Sequence, residues 1–429
     1  MTTSSSLPFP HLDPDFGVDG ELWVTKLMED TPGLTNVGHV LALLPLSDGS
    51  ILVAAESYLG PAATGGYLFK LTSAGKLDPT FGQGKGYIQD DVTENGNDYY
   101  HGVPYAVSLL GDRLLLSWLI LDLKGNQYLL GCTAYGLDGN RDTSFSDGGK
   151  LILNFPPLAA LPSEKDSPPP ADPLIGAWET QENKIILFYK HQQINGPRSH
   201  TYLIRLNHDG SYDKDFHGDG YTEIRIGSEL VDFTTRVPLS NNRWVISGER
   251  LGKAILAVID EQGNPASDFG EDGMTVIDKG VGTRISGVMV TAEQRIIVVG
   301  KFGTQVQEPP AEGIILGYTA TGQLDGTFTA TQKSFLPHPF RFRSIAATPT
   351  AGERWVTGEV MARGNYQAVL ARFLPDGRPD SSFGDEGYLL FPSAYNVPAI
   401  AIQNDGKCLM VAEHLVDGNV LPVLRRFLP

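Results

Sequence analysis

LDPTFGQGKG at residues 77–86 is the stretch on which the reading of this chain turns. Its pattern is a Phe, usually with an Asp three residues before it and glycines behind it. The pattern returns as LDPDFGVDG (12–20), RDTSFSDGG (141–149), YDKDFHGDG (212–220), PASDFGEDG (265–273), LDGTFTATQ (324–332) and PDSSFGDEG (379–387). The central Phe residues stand at 16, 81, 145, 216, 269, 328 and 383, at intervals of 65, 64, 71, 53, 59 and 55. A period near sixty with room for loop insertions is the signature of a propeller or a solenoid.

Outward from 77–86 the unit is easily parsed. VGHVLALLPL (37–46) is an apolar run, SDGS (47–50) a turn, ILVAAESY (51–58) a second run and LGPAATGG (59–66) a loop. YLFKLTSAG (67–75), the repeated phrase and GYIQ (86–89) come next, completing a four-stranded antiparallel meander with strands A to D in chain order. The same meander is read in SGVMVTAEQRIIVVGK (286–301) with GIILGYTATGQLDGTF (313–328), and in PAIAIQNDGKCLMVAEH (398–414) with PVLRRFLP (422–429). Strands A and B are nearly continuous in apolar residues, as sheets covered on both faces require. Within the phrase, Asp can fix a turn by accepting backbone amides, Phe supplies a buried anchor, and the glycines permit positive φ before strand D.

The ends of the chain choose between ring and solenoid. PVLRRFLP is a strand C with no phrase after it, while HLDPDFGVDGELWV near the N-terminus supplies the missing phrase and strand. Forty-six residues come after Phe383, so joined head to tail the interval to Phe16 is 62, one ordinary period. A closed ring uses this split, because completing the last blade with the N-terminal strand removes exposed edges. The fold expected is all-β: a single seven-bladed β-propeller over 1–429, its last blade built from about 397–429 plus 12–28, in a monomer.

Composition agrees with this architecture. Hydrophobic residues make up 41% of the 429, and 49 Gly with 29 Pro fit short strands and tight turns. The net charge of −17 argues against nucleic acid or an anionic membrane as partner. The opening MTTSSSLPFPHLDPDF has no basic segment followed by an apolar one, and no run of eighteen apolar residues occurs. The expected location is the cytoplasm, or outside the cell by a route without a conventional signal peptide. Cys132 and Cys408 fall in apolar runs of different blades and read as buried, reduced thiols.

The patterns AIAIQNDGKCLMVAEH…VLRRFLP…LDPDFGVDG and IAATPTAGERWVTGEV…AVLARFLPDGRPDSSFGDEG resemble the bacterial delta-60 repeat family, whose units end in LDxxFGxxG. The resemblance covers essentially the whole chain and implies a β-propeller. It brings no catalytic residues, because the family is functionally uncharacterised. The chain departs from the pattern at TFTATQKSF around Phe328 and SFSDGG around Phe145, so irregular C–D hairpins are expected in those two blades.

In such a meander the A–B turns and C–D hairpins emerge on one side of the ring, and the B–C and D–A loops on the other. The second set varies most, from RLGK (250–253) and IGSELVD (226–232) to HQQINGPRSH (191–200), KFGTQVQEPPAEG (301–313), DDVTENGNDYYHGVPY (90–105) and NFPPLAALPSEKDSPPPADP (154–173). Recognition is expected on that face, since binding residues concentrate on variable loops of rigid scaffolds. Tyr99, Tyr100 and His101, next to Asp98, would either stack on a ligand or pin their loop to the blade. FLPHPFRFR (335–343) brings His338, Arg341 and Arg343 to the same face, either as an anion site or as partners of blade carboxylates. SEKDSPPPADP (163–173) reads as an extended, solvated loop or a docking strand.

Aligning strand B places Glu56, Leu119, Lys190, Glu249, Lys301 and Glu413 at one position, with Glu359 one residue early. These charges are either inter-blade salt bridges or a polar ligand or cation site at the channel mouth. Asp213, Asp215 and Asp219 lack the register of a calcium loop, and HExxH, CxxC, GxSxG and GxxxxGK[ST] are all missing, so no cofactor or metal is expected. Two functions are compatible with these readings. One is a non-catalytic binding or scaffolding propeller recognising a protein or glycan through the B–C/D–A face. The other is a propeller lyase or hydrolase using the Glu ring with His101 or His338.

Overall fold

The computed structural model describes residues 9–57, 65–92, 100–153, 176–180, 182–192, 199–227, 231–250, 253–280, 282–303, 312–328, 340–348, 352–362, 365–392, 394–416 and 418–429. Near the N-terminus, β1 (Glu21–Trp23) is followed by a short helix, α1 (Val24–Asp30). Blade 1 comprises β2 (Val37–Pro45), β3 (Ile51–Ser57), β4 (Gly66–Leu71) and β5 (Tyr87–Asp90). Blade 2 comprises β6 (Tyr100–Leu110), β7 (Arg113–Asp122), β8 (Gln127–Gly136) and β9 (Lys150–Leu153). Blade 3 has β10 (Gly176–Glu179), β11 (Ile185–Gln192), β12 (Ser199–Leu206) and β13 (Tyr221–Glu223). Blade 4 has β14 (Asp232–Leu239), β15 (Arg243–Arg250), β16 (Lys253–Ile259) and β17 (Met274–Ile277). Blade 5 shows β18 (Arg284–Val290), β19 (Ile296–Phe302) and β20 (Glu312–Tyr318), with residues 329–339 outside the described set. Blade 6 has β21 (Phe340–Ala347), β22 (Arg354–Ala362), β23 (Asn365–Phe373) and β24 (Tyr388–Phe391). Blade 7 has β25 (Ala394–Ile402), β26 (Cys408–Val416) and β27 (Asn419–Phe427), and β1 is its outer strand.

Every pairing within these sheets is antiparallel, and the result is a seven-bladed propeller. Glu21 lies opposite Arg425 and Trp23 opposite Val423, so the two ends of the chain meet in one sheet. The innermost strands β2, β6, β10, β14, β18, β21 and β25 pack around the centre, with β2 touching both β6 and β25. Helix α1 interrupts the expected run of strand after Trp23. VTKLMED holds good helix formers, Lys26 pairs with Asp30 at 2.9 Å one turn on, and Val24, Leu27 and Met28 turn one face onto the core beneath blade 1.

The hydrophobic core is distributed, with one cluster between each pair of neighbouring blades. Each cluster contains one phrase Phe: Phe81 between blades 1 and 2, Phe145 between 2 and 3, Phe216 between 3 and 4, and Phe269 between 4 and 5. Phe328, Phe383 and Phe16 complete the circle. Burying such a ring contributes about 1.5–3 kcal/mol, so the repeat is a repeated inter-blade bond.

The rest of the phrase completes the joint. The Asp accepts the amide two residues on, as Asp78 Oδ1 does from Thr80 (2.9 Å), Asp213 from Asp215 (3.2 Å) and Asp380 from Ser382 (3.0 Å). Its other oxygen takes a cation from its own blade: Arg426 for Asp13 (2.8 Å), Arg113 for Asp142, Arg205 for Asp213 and Arg372 for Asp380 (each 2.7 Å). Those guanidinium groups lie over Phe16, Phe145, Phe216 and Phe383 at 4.8, 5.4, 4.7 and 4.9 Å. The three acids of YDKDFHGDG are therefore not arranged for a cation, since Asp213 is buried against Arg205 and Lys184.

Two sequence expectations are corrected. The hairpin after Phe145 is regular: Asp147 pairs with Lys150 as Glu271 does with Met274, and Ser146 takes, at 48°, the positive φ that Gly17, Gly82, Gly270, Gly384 and His217 take in their phrases. Glu359 is not one residue early. Gly358 and Glu359 pair with Phe342 and Arg341 just as Gly300 and Lys301 pair with Ile285 and Arg284, and both blades carry the same bulge in strand A. The C–D hairpin of blade 5, beyond Phe328, lies outside the described residues.

Candidate functional site

Near the B–C/D–A face most innermost strands carry a bulge, between Pro104 and Ala106, Phe233 and Thr235, Ile285 and Gly287, and Phe342 and Ser344. A bulge re-aims one side chain. Thr234 Oγ1 donates to the Ile285 carbonyl of the next blade (3.2 Å), and Ser286 Oγ to that of Phe342 (2.5 Å). In blade 6 the same position holds Arg343. One step toward the loops lie the cross-strand pairs Val103–Leu119, Asp232–Glu249, Arg284–Lys301 and Arg341–Glu359. Polar groups thus encircle the mouth, with blade 2 contributing Val103 and Leu119 instead.

Blades 5 and 6 form a basic sector. Arg341 Nε and Arg343 Nε both donate to Glu359, at 2.6 and 3.0 Å, and this carboxylate is only 3% exposed. Arg284 reaches Glu249 of blade 4 at 3.4 Å. Lys301 has no ion-pair or hydrogen-bond partner among the described residues. Burial lowers its pKa, and the neighbouring Arg341, Arg284 and Arg343 lower it further. Among the described residues, four cations therefore share two carboxylates, Glu249 and Glu359.

Blades 7 and 1 form an acidic sector. Glu413 is fully buried and accepts from Asn396 Nδ2 (2.9 Å) and Tyr395 (3.4 Å), while His39 Nδ1 lies 2.8 Å away. His39 also stands 3.7 Å from Glu56, and its backbone amide donates to Glu56 at 3.2 Å. The hydrogen bond to Glu413 holds the His39 pKa above its ordinary value against the opposing effect of burial. Burial, then Glu413 and Glu56, push the Tyr395 phenol up to about 12. Between the sectors, Lys190 pairs with Asp232.

The residues singled out from sequence divide accordingly. Glu56 and Glu413 meet around His39, Arg341 and Arg343 meet on Glu359, and Glu249 joins Arg284. Tyr100 and His101 lie in β6 opposite Asp122 and Leu121, at its loop-face end. Asp98, Tyr99, His338 and residues 163–173 lie outside the described residues. Sequence reading passed over His39, Arg284, Tyr395 and Asn396. His39 was visible as the one polar side chain in VGHVLALLP, and Arg284 aligns with Arg341 once the bulge is allowed for.

Elsewhere, a cleft of about 480 Å³ on the opposite face is lined by Asp15, Asp48, Ser73, Asp405, Lys407 and Arg426. Its cations are committed, since Lys407 and Arg426 both hold Asp13, at 3.2 and 2.8 Å. Among the described residues no three His, Cys, Asp or Glu side chains are placed to hold a metal ion. Cys132 and Cys408 are buried and unpaired with each other, and burial pushes the Cys132 thiol up to about 12.

Two stretches, residues 46–81 and 356–383, match the family described as "Domain of unknown function (DUF5122) beta-propeller". Both contain the B-strand, C-strand and phrase of a blade, blades 1 and 6 respectively. The match is to a β-propeller family of unknown function. No curated protein matches the sequence. Among solved structures, the chain is similar to prolyl oligopeptidase B from Galerina marginata, with 11% identity, 91% of this chain and 57% of that chain covered, and a TM-score of 0.36. It is also similar to an α-L-arabinofuranosidase from Fusarium graminearum, with 14% identity, coverage of 79% and 93%, and a TM-score of 0.41. For an endo-arabinanase from Bacillus licheniformis the figures are 11%, 61% and 96%, and 0.32. The chain spans little more than half of the oligopeptidase's length.

Proposed function

We propose that this protein is a non-catalytic binding propeller that recognises an acidic protein or glycan through its B–C/D–A face. The observation that carries the reading is Lys301. An ammonium group set among Arg284, Arg341 and Arg343, with no carboxylate partner among the described residues, costs folding energy that an anionic ligand would return. In a chain of net charge −17, an uncompensated basic sector is a local feature with specific geometry, and guanidinium groups suit carboxylate, sulfate or phosphate oxygens.

The alternative is a propeller hydrolase or lyase, and the grouping of His39, Glu413, Glu56 and Tyr395 favours it as a general acid–base set. Against it, the Glu413 carboxylate is sealed from solvent and saturated by its own donors, which suits a support more than a proton carrier.

Thermal-shift screening against acidic oligosaccharides and acidic peptides, with neutral counterparts alongside, tests the binding reading. Saturable stabilisation by acidic members, lost in Lys301→Gln, supports it. Indifference to charge, or retention in the variant, refutes it.

A further inference from the structure

Arg236, midway along the innermost strand β14, has no hydrogen bond or ion pair among the described residues. The mouth arginines Arg284, Arg341 and Arg343, by contrast, each reach a carboxylate. The guanidinium carbon of Arg236 stands 4.9 Å over the ring of Trp178, on the innermost strand β10 of the neighbouring blade. The Trp178 ring is itself braced edge-on by Phe188, 5.7 Å away. The Arg236 Nε is sealed from solvent without an acceptor, although the residue as a whole is partly accessible. Its terminal nitrogen Nη2 lies against Gly176, where a Cβ would collide with it. The backbone has left room for the head group to lie flat on the indole.

We propose that Arg236 and Trp178 form an anion site in the interior of the ring, one that takes the carboxylate of a small organic monoanion. A guanidinium stacked on an aromatic face keeps its in-plane N–H groups clear of the ring, and with Nε sealed the Nη1–Nη2 edge is the one left to match a carboxylate with two parallel hydrogen bonds. Desolvation lowers the Arg236 pKa to about 9, and no charged group among the described residues offsets it. One desolvated cation balances one negative charge; a dianion would carry an uncompensated charge into the same surroundings. The partly exposed indole of Trp178, held in place by the buried Phe188, offers apolar surface beside the guanidinium for a small carbon body. This site is separate from the mouth cluster and stands whether or not that cluster binds anything.

The test is a titration of the full chain with acetate, D-glucuronate and inorganic phosphate at constant ionic strength, read by tryptophan fluorescence and thermal shift. A saturable response to carboxylates is expected, with phosphate at pH 8 weaker. Arg236→Met should weaken carboxylate binding by at least about tenfold, the scale of a lost charge-assisted pair. Gly176→Ala, which displaces the guanidinium without removing it, should also weaken binding, and Lys301→Gln should leave it unchanged. Acetate binding alone marks a free acid as the ligand; glucuronate binding as well marks a glycan carboxylate. Without ligand, Arg236→Met should be at least as stable to urea as wild type, because it removes an unpaired charge. The proposal is overturned by no saturable carboxylate response, by phosphate binding as tightly, by Arg236→Met binding like wild type, or by that variant being less stable without ligand.

Discussion

The backbone N–H of Gly82 in blade 1 donates to the carbonyl of Asp138 in blade 2, 2.8 Å away. The same bond recurs from Gly17 to Ala74 (2.9 Å), from Ser146 to Asp209 (2.6 Å) and from Gly270 to Thr321 (2.9 Å). In each case the glycine after the acceptor closes over the preceding blade's Phe: Gly75 over Phe16, Gly139 over Phe81, Gly210 over Phe145 and Gly322 over Phe269. At the chain ends His11 replaces that glycine, at φ 68°, and stacks 5.0 Å from Phe383. In these phrases the repeat is thus a clasp reaching from one blade to the next.

Gly82 has φ +62°, and a Cβ there would collide with the Tyr87 carbonyl. Gly82→Ala is expected to destabilise by about 1–3 kcal/mol in urea unfolding, and Ser146→Gly to stabilise by up to about 1 kcal/mol by relieving a φ of 48°. Equal and small effects at both positions would show that the turn, not its left-handed residue, carries the clasp.

Asp13 joins the N-terminal segment to Arg426 and Lys407 while only 2% exposed. Burial works to raise its pKa, but the Asp15 amide, Lys407 and Arg426 outweigh it and hold the carboxyl below the usual range. A depressed carboxylate contributes stability that is present above its unfolded pKa of about 3.9 and lost as pH falls through the folded value. Asp13→Asn should therefore cost about 3–5 kcal/mol at pH 7, and the gap to wild type should narrow below about pH 4 in guanidinium unfolding.

His39 behaves in the opposite sense. Its pKa is raised by Glu413, so its contribution is complete below about pH 6.5 and is lost as pH rises through the folded value. Unfolding of wild type and His39→Gln at pH 6 and pH 8.5 should give the larger difference at pH 6. A difference independent of pH would mean that the His39–Glu413 contact is not an ion pair.

Lys301→Gln should raise the stability of the ligand-free protein at low ionic strength, since it relieves repulsion from Arg341, Arg284 and Arg343, while abolishing the acidic-ligand response of the channel mouth. Glu359→Gln should do the reverse to stability, costing about 3–5 kcal/mol by leaving Arg341 and Arg343 without their buried carboxylate. Thermal unfolding at 20 and 500 mM salt separates the two, because the Lys301 effect fades with salt.

The spacing of seven Phe residues determined the ring, the blade number and the joining of the chain ends, because each Phe fills one inter-blade core and cannot be moved without emptying it. The apolar runs determined the strands, since sheets buried on both faces tolerate little else. Charge partners were not legible in the same way. Glu413 meets His39, 374 positions away along the chain, and Arg426 meets Asp13 across 413, so closure of the ring decided which charges were satisfied. The bulge in β21, at which Arg343 turns onto Glu359, shows only in the pairing of β21 with β22. Arg236 reads in sequence as one more strand arginine. Only its packing on Trp178, with no carboxylate partner among the described residues, decided that its charge was left over.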